Sequence, residues 1–305
     1  MLRYAFGWVD EKGQSYDTPT GKRIRPLLLM LCTEASGGEW RDALPAAAAV
    51  EILHNFSLIH DDIQDNSPIR HNRPTVWKVW GEANAINAGD ALFTLAHYSL
   101  HQLSLSEILP QQLLNIWDIF NHTSLELTRG QHLDMRFERE ERVAPENYIS
   151  MITGKSAALI AACAKIGSLI GNNNELIANH FYDFGLNIGI AFQIHDDVLG
   201  IWGDAVEIGK STATDILSQK KSLPVLYGLE HSSDLRLLYV QQEFSENDVK
   251  SVVSHLNHVN AQEYAIEQEK MYYAKAIDAL GLTNLPPQIH EKLSLLLDGL
   301  FHRTN

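Results

Sequence analysis

The chain has 305 residues, 45% hydrophobic and 20% charged, with a formal net charge of -14. That length buries one large core or two small ones, and neither fraction is that of a disordered chain. The acidity argues against a non-specific nucleic-acid or anionic-membrane surface, which needs an excess of Lys and Arg; it reads first as solubility.

From the N-terminus, residues 1–10 carry Arg3 and Asp10 but no apolar h-region and no small-residue cleavage site, so no secretory signal is expected. Gly21-Lys22-Arg23-Ile24-Arg25-Pro26 is a basic helix start running into the apolar Leu27–Leu31. Apolar residues three and four apart, with good helix formers between them, predict helices over Ala46–Asp65, Ala83–Leu105, Gln112–Glu126, Glu146–Ile170, Glu175–Leu199, Glu246–Leu280 and Pro287–His302. Ser106 before Glu107, Pro145 in a first turn, and Ser245 before Glu246 and Asp248 mark helix starts. The breaks are Gly37-Gly38, Asn66–Pro74, Gly171–Asn174, Gly200–Ser222 and Thr283–Pro287. Strict apolar alternation is missing, so no strand is predicted. With no linker and no internal repeat, one all-α domain over 1–305 follows.

The most apolar stretches, Ala43–Leu53 and Ala157–Ile170, are interrupted by Glu51 and Lys165 and are too short to span a bilayer. No stable membrane insertion is expected, and the cytoplasm is the default location. Cys32 and Cys163 lack metal-ligand spacing and read as buried, reduced thiols.

Chemistry concentrates in a few places. In Leu58-Ile59-His60-Asp61-Asp62-Ile63-Gln64-Asp65, the first and last Asp lie one helical turn apart and face the same way, with Asp62 about 100° around the axis. Carboxylates so close raise one another's pKa unless a cation neutralises them. Mg²⁺ fits, because it keeps waters and takes phosphate oxygens in its remaining sites. An isolated Asp-Asp-x-x-Asp is more often an acidic helix surface, but this one ends the apolar run Ile52–Ile59 and is followed by Arg70-His71-Asn72-Arg73. Acids followed by bases suit a metal-bound diphosphate.

A second acidic pair, in Phe192-Gln193-Ile194-His195-Asp196-Asp197, again ends an apolar helix. On that helix Gly185 and Gly189 leave room for close packing or a cavity. Two such helices side by side would hold Mg²⁺ between their carboxylates. Lys22, Arg23 and Arg25 offer phosphate-binding charge at a helix start. Gly154-Lys155-Ser156 heads an apolar helix without the loop of a P-loop. The stretch Gly203-Asp204 through Gly209-Lys210, Asp215 and Lys220-Lys221 reads as a loop that closes over phosphates.

Taken in order, Gly21–Pro26, Leu58–Asp65, Arg70 with Arg73-Pro74-Thr75, Asn87-Ala88-Gly89-Asp90, Gly130-Gln131 with Asp134, Gly154-Lys155-Ser156 and Phe192-Gln193 with Asp196-Asp197 resemble the trans-prenyl diphosphate synthases, or polyprenyl synthetases. The resemblance implies a helical bundle around a deep central cavity and a homodimer. It implies a transferase that condenses isopentenyl diphosphate with an allylic prenyl diphosphate. Asp61 and Asp65 would hold two Mg²⁺ ions and Asp196 a third, with Asp62 and Asp197 supporting. Arg70, Lys155, Gln193, Lys210 and Lys220 match positions that contact the allylic diphosphate. Lys22, Arg25, His54 and His71 match the isopentenyl diphosphate pocket. Ionisation of the allylic C–O bond, attack by the isopentenyl double bond and proton loss would follow, with the Ser156 hydroxyl softening the cation.

Four departures stand out. His71 replaces the usual Arg, so its charge depends on pH. Gly200 stands where the second motif usually ends in Asp, and Ser156 replaces Thr. Only twenty residues precede Gly21, so a first helix is expected to be lacking. Before Asp61, Ser57 leaves space while Phe56, about 7.5 Å along the axis, forms a floor for a growing prenyl tail. The pattern resembles synthases of twenty-carbon geranylgeranyl diphosphate, with farnesyl diphosphate next. A class I terpene cyclase shares the first motif but has no need of Lys22, Arg25 and His54. A non-catalytic subunit of a heteromeric synthase tends to lose the acidic motifs that this chain keeps.

Overall fold

The spacing of apolar residues is realised as helix along most of the chain. The computed structural model describes residues 1–15, 23–140, 142–203, 214–217, 219–240, 244–283 and 285–301. In order these form α1 (Leu2–Ala5), α2 (Ile24–Ala35), a 3₁₀ turn (Trp40–Ala43) and α3 (Leu44–Gln64). A hairpin of β1 (Ile69–Arg70) and β2 (Arg73–Pro74) leads into α4 (Val76–Trp80), α5 (Glu82–His101) and α6 (Pro110–Arg139). Then come α7 (Pro145–Ile152), a π turn (Thr153–Ala157), α8 (Ala158–Gly171), α9 (Glu175–Trp202) and α10 (Thr214–Leu217). The chain continues through α11 (Leu223–His231), α12 (Ser233–Leu238), α13 (Glu246–His258), α14 (Ala261–Gly281) and α15 (Pro287–Phe301).

Two compact units can be distinguished. The first comprises Met1–Ser124, Ala162–Phe181 and Leu285–Ile289; the second comprises Leu125–Ala161, Tyr182–Asn284 and His290–Asn305. In the first, Leu29, Leu53, Leu92, Leu100 and Phe120 are fully buried. Here α3 lies against α5, where a Cβ on Gly89 would stand 2.2 Å from the His60 ring. Cys32 and Cys163 are free and buried, as expected. Burial pushes both thiols up, Cys163 to about 12, which keeps them protonated and unreactive.

The second unit packs Tyr148, Ile152, Ile194, Val198, Leu223 and Leu226 into one cluster. Another cluster gathers Ile201, Val225, Leu235, Val252 and Leu256. Gly185 and Gly189 serve close packing, since Cβ atoms there would meet Ala161 and Ala157 at 2.8 and 2.7 Å. Pro145–Gly171 is long and apolar enough to cross a membrane, a longer run than the sequence suggested, and 67% of its most apolar window is buried in the protein.

Several expectations change in detail. The polar break Asn66–Pro74 contains a minimal antiparallel hairpin, because His71 and Asn72 both adopt left-handed backbone (φ 49 and 58) and make the two-residue turn such a hairpin needs. Ser106 caps no helix start; its hydroxyl donates to Leu103 O, and the next helix begins at Pro110. That helix runs past Glu126 to Arg139. The predicted Glu246–Leu280 is two helices, divided where Asn260 turns left-handed (φ 57). Pro145 in a first turn and Ser245, in a capping box with Asp248, mark starts as expected. A short helix, α1, does precede the basic motif.

Candidate active site

The first aspartate motif forms the last turn of α3. Asp65 N donates to Asp61 O at 2.8 Å, so the two residues stack on one face as the spacing predicted. Asp61 is half-buried and Asp65 exposed, whereas Asp62 turns inward and is buried. Arg70 Nε donates to Asp62 Oδ1 at 2.8 Å. Burial pushes the Asp62 carboxyl up, and the Arg70 guanidinium opposes that rise. All three acids stand at the negative end of the helix dipole, where a cation is stabilising.

Beside this turn lies a cavity of about 240 Å³, walled by α2, α3, the hairpin and the N-terminal segment. Four arginines face it (Arg23, Arg25, Arg70 and Arg73) against two carboxylates, Glu51 and Asp62. Arg25 Nη1 donates to His54 Nε2 at 3.2 Å. Burial pushes His54 well below its ordinary range, and the charges of Arg25, Arg70 and His71 push the same way. The imidazole is therefore neutral at pH 7 and its Nε2 accepts. His71 is exposed at the hairpin turn and lines the cavity. Arg25, His54, Arg70 and His71 are thus brought together around one cationic hollow. Lys22 lies outside the described residues, as does Lys210.

The prospective chain-length residues lie farther back on α3. Ser57 Oγ donates to His54 O at 2.9 Å. The Phe56 ring packs on Phe93 of α5 at 5.1 Å and edge-on to His60 at 4.8 Å.

In the second unit, the π turn carries Lys155 and Ser156. A π turn inside a helix often marks a functional site. It lies tight against α6, since a Cβ on Gly130 would stand 2.1 Å from Lys155 N. Lys155 Nζ pairs with the Asp134 carboxylate one turn further along α6. Ser156 Oγ donates to Gln193 Oε1 at 2.6 Å, and Gln193 Nε2 donates to Asp197 Oδ1 at 3.3 Å. Asp197 is buried and also accepts from the Tyr148 hydroxyl and from Leu223 N. Burial pushes its carboxyl up to about 6, against the charge of Lys220 and these hydrogen bonds. Asp196, its neighbour, is half-buried. Lys221 docks on the last carbonyls of α6, donating to Phe137 O at 2.9 Å and to Glu140 O.

Asp134 and Tyr148 are the functional neighbours that sequence reading left without a role. The Gly130-to-Asp134 spacing of one turn was a usable signal for the first. Nothing in the residues around Tyr148 announces that its hydroxyl reaches Asp197.

The carboxylates present fit Mg²⁺. Among the described residues no three acidic or His side chains gather into a closed metal cage. Mg²⁺ is usually held by one or two carboxylates plus substrate phosphates, which is what Asp61 and Asp65 on one helical turn can offer.

The fold and these clusters define a helical protein with a cationic hollow beside an aspartate-rich helix end, suited to metal-complexed diphosphates. The polyprenyl synthetase family model matches residues 7–256, and the chain belongs to that family. It is 39% identical over 286 residues to the geranylgeranyl diphosphate synthase of Saccharolobus solfataricus, covering 92% of this chain and 85% of that one. It is 35% identical over 294 residues to the (2E,6E)-farnesyl diphosphate synthase of Mycobacterium tuberculosis, covering 94% and 80%. The polyprenyl synthetase structure from Streptomyces coelicolor superposes with a TM-score of 0.90 at 34% identity over 98% of this chain and 90% of that one. The geranylgeranyl pyrophosphate synthase of Corynebacterium glutamicum, solved with isoprenyl diphosphate and magnesium, gives 0.84 at 26% identity over 93% and 87%. The all-α isoprenoid synthase fold expected from the sequence is the fold of this chain.

Proposed function

We propose that this chain condenses isopentenyl diphosphate with an allylic prenyl diphosphate to make a short-chain product, geranylgeranyl diphosphate first and farnesyl diphosphate next. The observation that carries the reading is the cavity in which Arg25, His54, Arg70 and His71 converge beside the aspartate-rich end of α3. Four arginines against two carboxylates favour a dianionic ligand, and about 240 Å³ suits a five-carbon substrate better than a long prenyl chain.

In this reading Arg25, His54 and His71, with Lys22, hold isopentenyl diphosphate. Arg70, Lys155, Gln193, Lys210 and Lys220 hold the allylic diphosphate. Asp61, Asp65 and Asp196 are the residues that would hold Mg²⁺, three ions in all. Bound Mg²⁺ supplies positive charge that stabilises the departing diphosphate. Asp62 fixes Arg70, and Asp197 fixes Gln193, so the cationic and amide donors meet the phosphates preorganised. In this reading the closed site excludes water from the carbocation, and the Ser156 hydroxyl oxygen softens its charge. The proton leaves with the released diphosphate, so no dedicated base is required.

Product length is assigned to Phe56 with Ser57. The contact of the tilted Phe56 and Phe93 rings supports this, because two rings make a stiffer floor than one. Exposed Ile86, Phe93 and Tyr98 on α5 suit a homodimer interface, and the two reduced cysteines suit the cytoplasm.

The test supplies isopentenyl diphosphate with five-, ten- or fifteen-carbon allylic partners and Mg²⁺ and measures product length. A twenty-carbon product is expected, and a longer one from Phe56→Ala. No turnover with any partner by folded protein would overturn the reading; unchanged length in Phe56→Ala would remove only the chain-length role.

A further inference from the structure

The hairpin that carries Arg70 and His71 has two residues in each strand, with Ile69 paired to Pro74 and Arg70 to Arg73. A two-stranded hairpin of that size is not stable by itself. Its base is tied by Thr75, whose N–H donates to Pro68 O at 3.0 Å and whose hydroxyl donates to Ser67 O at 2.9 Å. Arg70 is anchored separately, by Asp62 of α3. The outer strand is held by the N-terminal segment. The Tyr4 hydroxyl donates to Pro74 O at 2.6 Å. The Arg73 guanidinium lies 4.0 Å above the Tyr4 ring and donates to Val9 O at 2.8 Å. Tyr4 is itself fixed, only 4% exposed and edge-on to Trp80 at 4.9 Å. Tyr4 to Gly7 also form one wall of the cavity.

We propose that Tyr4 is a positioning residue for the isopentenyl diphosphate pocket, holding through Arg73 and Pro74 the hairpin that presents His71 to the cavity. This rests on the reading of the cavity given above. Tyr4 acts on the outer strand and the turn, while Arg70 keeps its own anchor. The two substrates should therefore respond differently to its loss.

The experiment measures KM for isopentenyl diphosphate, KM for geranyl diphosphate and kcat in wild type, Tyr4→Phe, Tyr4→Ala, Arg73→Lys and Arg73→Met. Calorimetric titration with isopentenyl diphosphate runs alongside. Tyr4→Ala loses both the hydrogen bond and the ring under Arg73, and is expected to raise the isopentenyl diphosphate KM about tenfold. Tyr4→Phe loses only the hydrogen bond, for a rise of about threefold. Arg73→Lys keeps the charge over the ring and should recover most of what Arg73→Met loses. The geranyl diphosphate KM should stay within about twofold, since the Arg70–Asp62 bond is untouched.

Equal rises in both KM values, or a fall in kcat alone, would overturn the assignment. Should Tyr4→Ala fail to fold, Tyr4→Phe and the Arg73 pair carry the same decision. If wild type turns nothing over, the catalytic reading fails, and the titration then decides. Weaker isopentenyl diphosphate binding by Tyr4→Phe than by wild type upholds the positioning role; no binding by wild type overturns it.

Discussion

The two aspartate pairs of this chain look alike in sequence and are satisfied in different ways. In each, one carboxylate is turned into the protein: Asp62 is 5% exposed and Asp197 1%. Adjacent residues on a helix point about 100° apart, so a doublet can anchor one acid inside while offering the other outward. Asp62 is met by a guanidinium, Arg70. Asp197 is met by a phenol, an amide and a backbone N–H, with the charge of Lys220 in addition. The first pair thus fixes a cationic side chain at the cavity. The second ties together α7, α9 and the start of α11.

The sharpest test of this division is to remove the outward acids. Asp61→Ala and Asp196→Ala should each lower kcat/KM by at least about a hundredfold, the scale of losing one preorganised electrostatic contact to a transition state. Both variants should keep the wild-type unfolding midpoint, because neither residue is the buried member of its pair. A product assay with isopentenyl and farnesyl diphosphates, beside a urea titration, checks both halves. A large loss of stability in either variant would break the inward–outward distinction.

The inward acids should show the reverse weighting. Arg70→Gln leaves the Asp62 carboxylate buried without its guanidinium and should cost about 2 kcal/mol of stability. Asp62→Asn leaves a half-exposed Arg70 that water can solvate, and should cost under about 1 kcal/mol. Tyr148→Phe removes one of several donors to Asp197 and should cost about 1 kcal/mol. Urea midpoints order the three. If Arg70→Gln proved the mildest, Arg70 would not be the partner that keeps Asp62 buried.

What could be read from the sequence follows the range of the interactions. The helices and the pairing of Asp61 with Asp65 rest on local spacing, and periodicity reports local spacing; the grouping of Arg25, His54 and Arg70 follows only from the resemblance to the family. Gly130 against Lys155, Tyr148 on Asp197 and Tyr4 under Arg73 join residues distant along the chain, and no periodicity encodes them. The hairpin was missed for another reason. Two left-handed residues, His71 and Asn72, decide it, and neither is the glycine that usually announces such a turn.

Titration separates the pairs further. The Asp197 carboxyl, raised to about 6 from 3.8, holds its proton more tightly in the folded than in the unfolded chain. Its contribution to stability is therefore complete below pH 4 and is lost as pH rises through 6. In metal-free protein, wild type should lose on the order of 2 kcal/mol relative to Asp197→Asn across that interval. Unfolding free energies measured between pH 4 and 7 test the sign. His54 works the opposite way. Its depressed pKa means the unfolded chain takes up the proton first, so its share of stability falls as pH drops below 6.5.

The smallest effect tests whether the second network is an ordering device. Ser156 touches Asp197 only through Gln193: its hydroxyl donates to Gln193 Oε1, and that fixes which end of the amide faces Asp197. Ser156→Ala should cost about 0.5–1 kcal/mol, while Ser156→Thr, which keeps the hydroxyl, should cost less. The informative readout is kinetic. An amide freed to turn presents oxygen where a donor is needed, and an oxygen repels phosphate. Ser156→Ala should therefore raise KM for the allylic substrate while KM for isopentenyl diphosphate stays near wild type. A change confined to isopentenyl diphosphate would mean that Gln193 is not oriented from Ser156, and that the second pair organises its donors through Tyr148 and Leu223 alone.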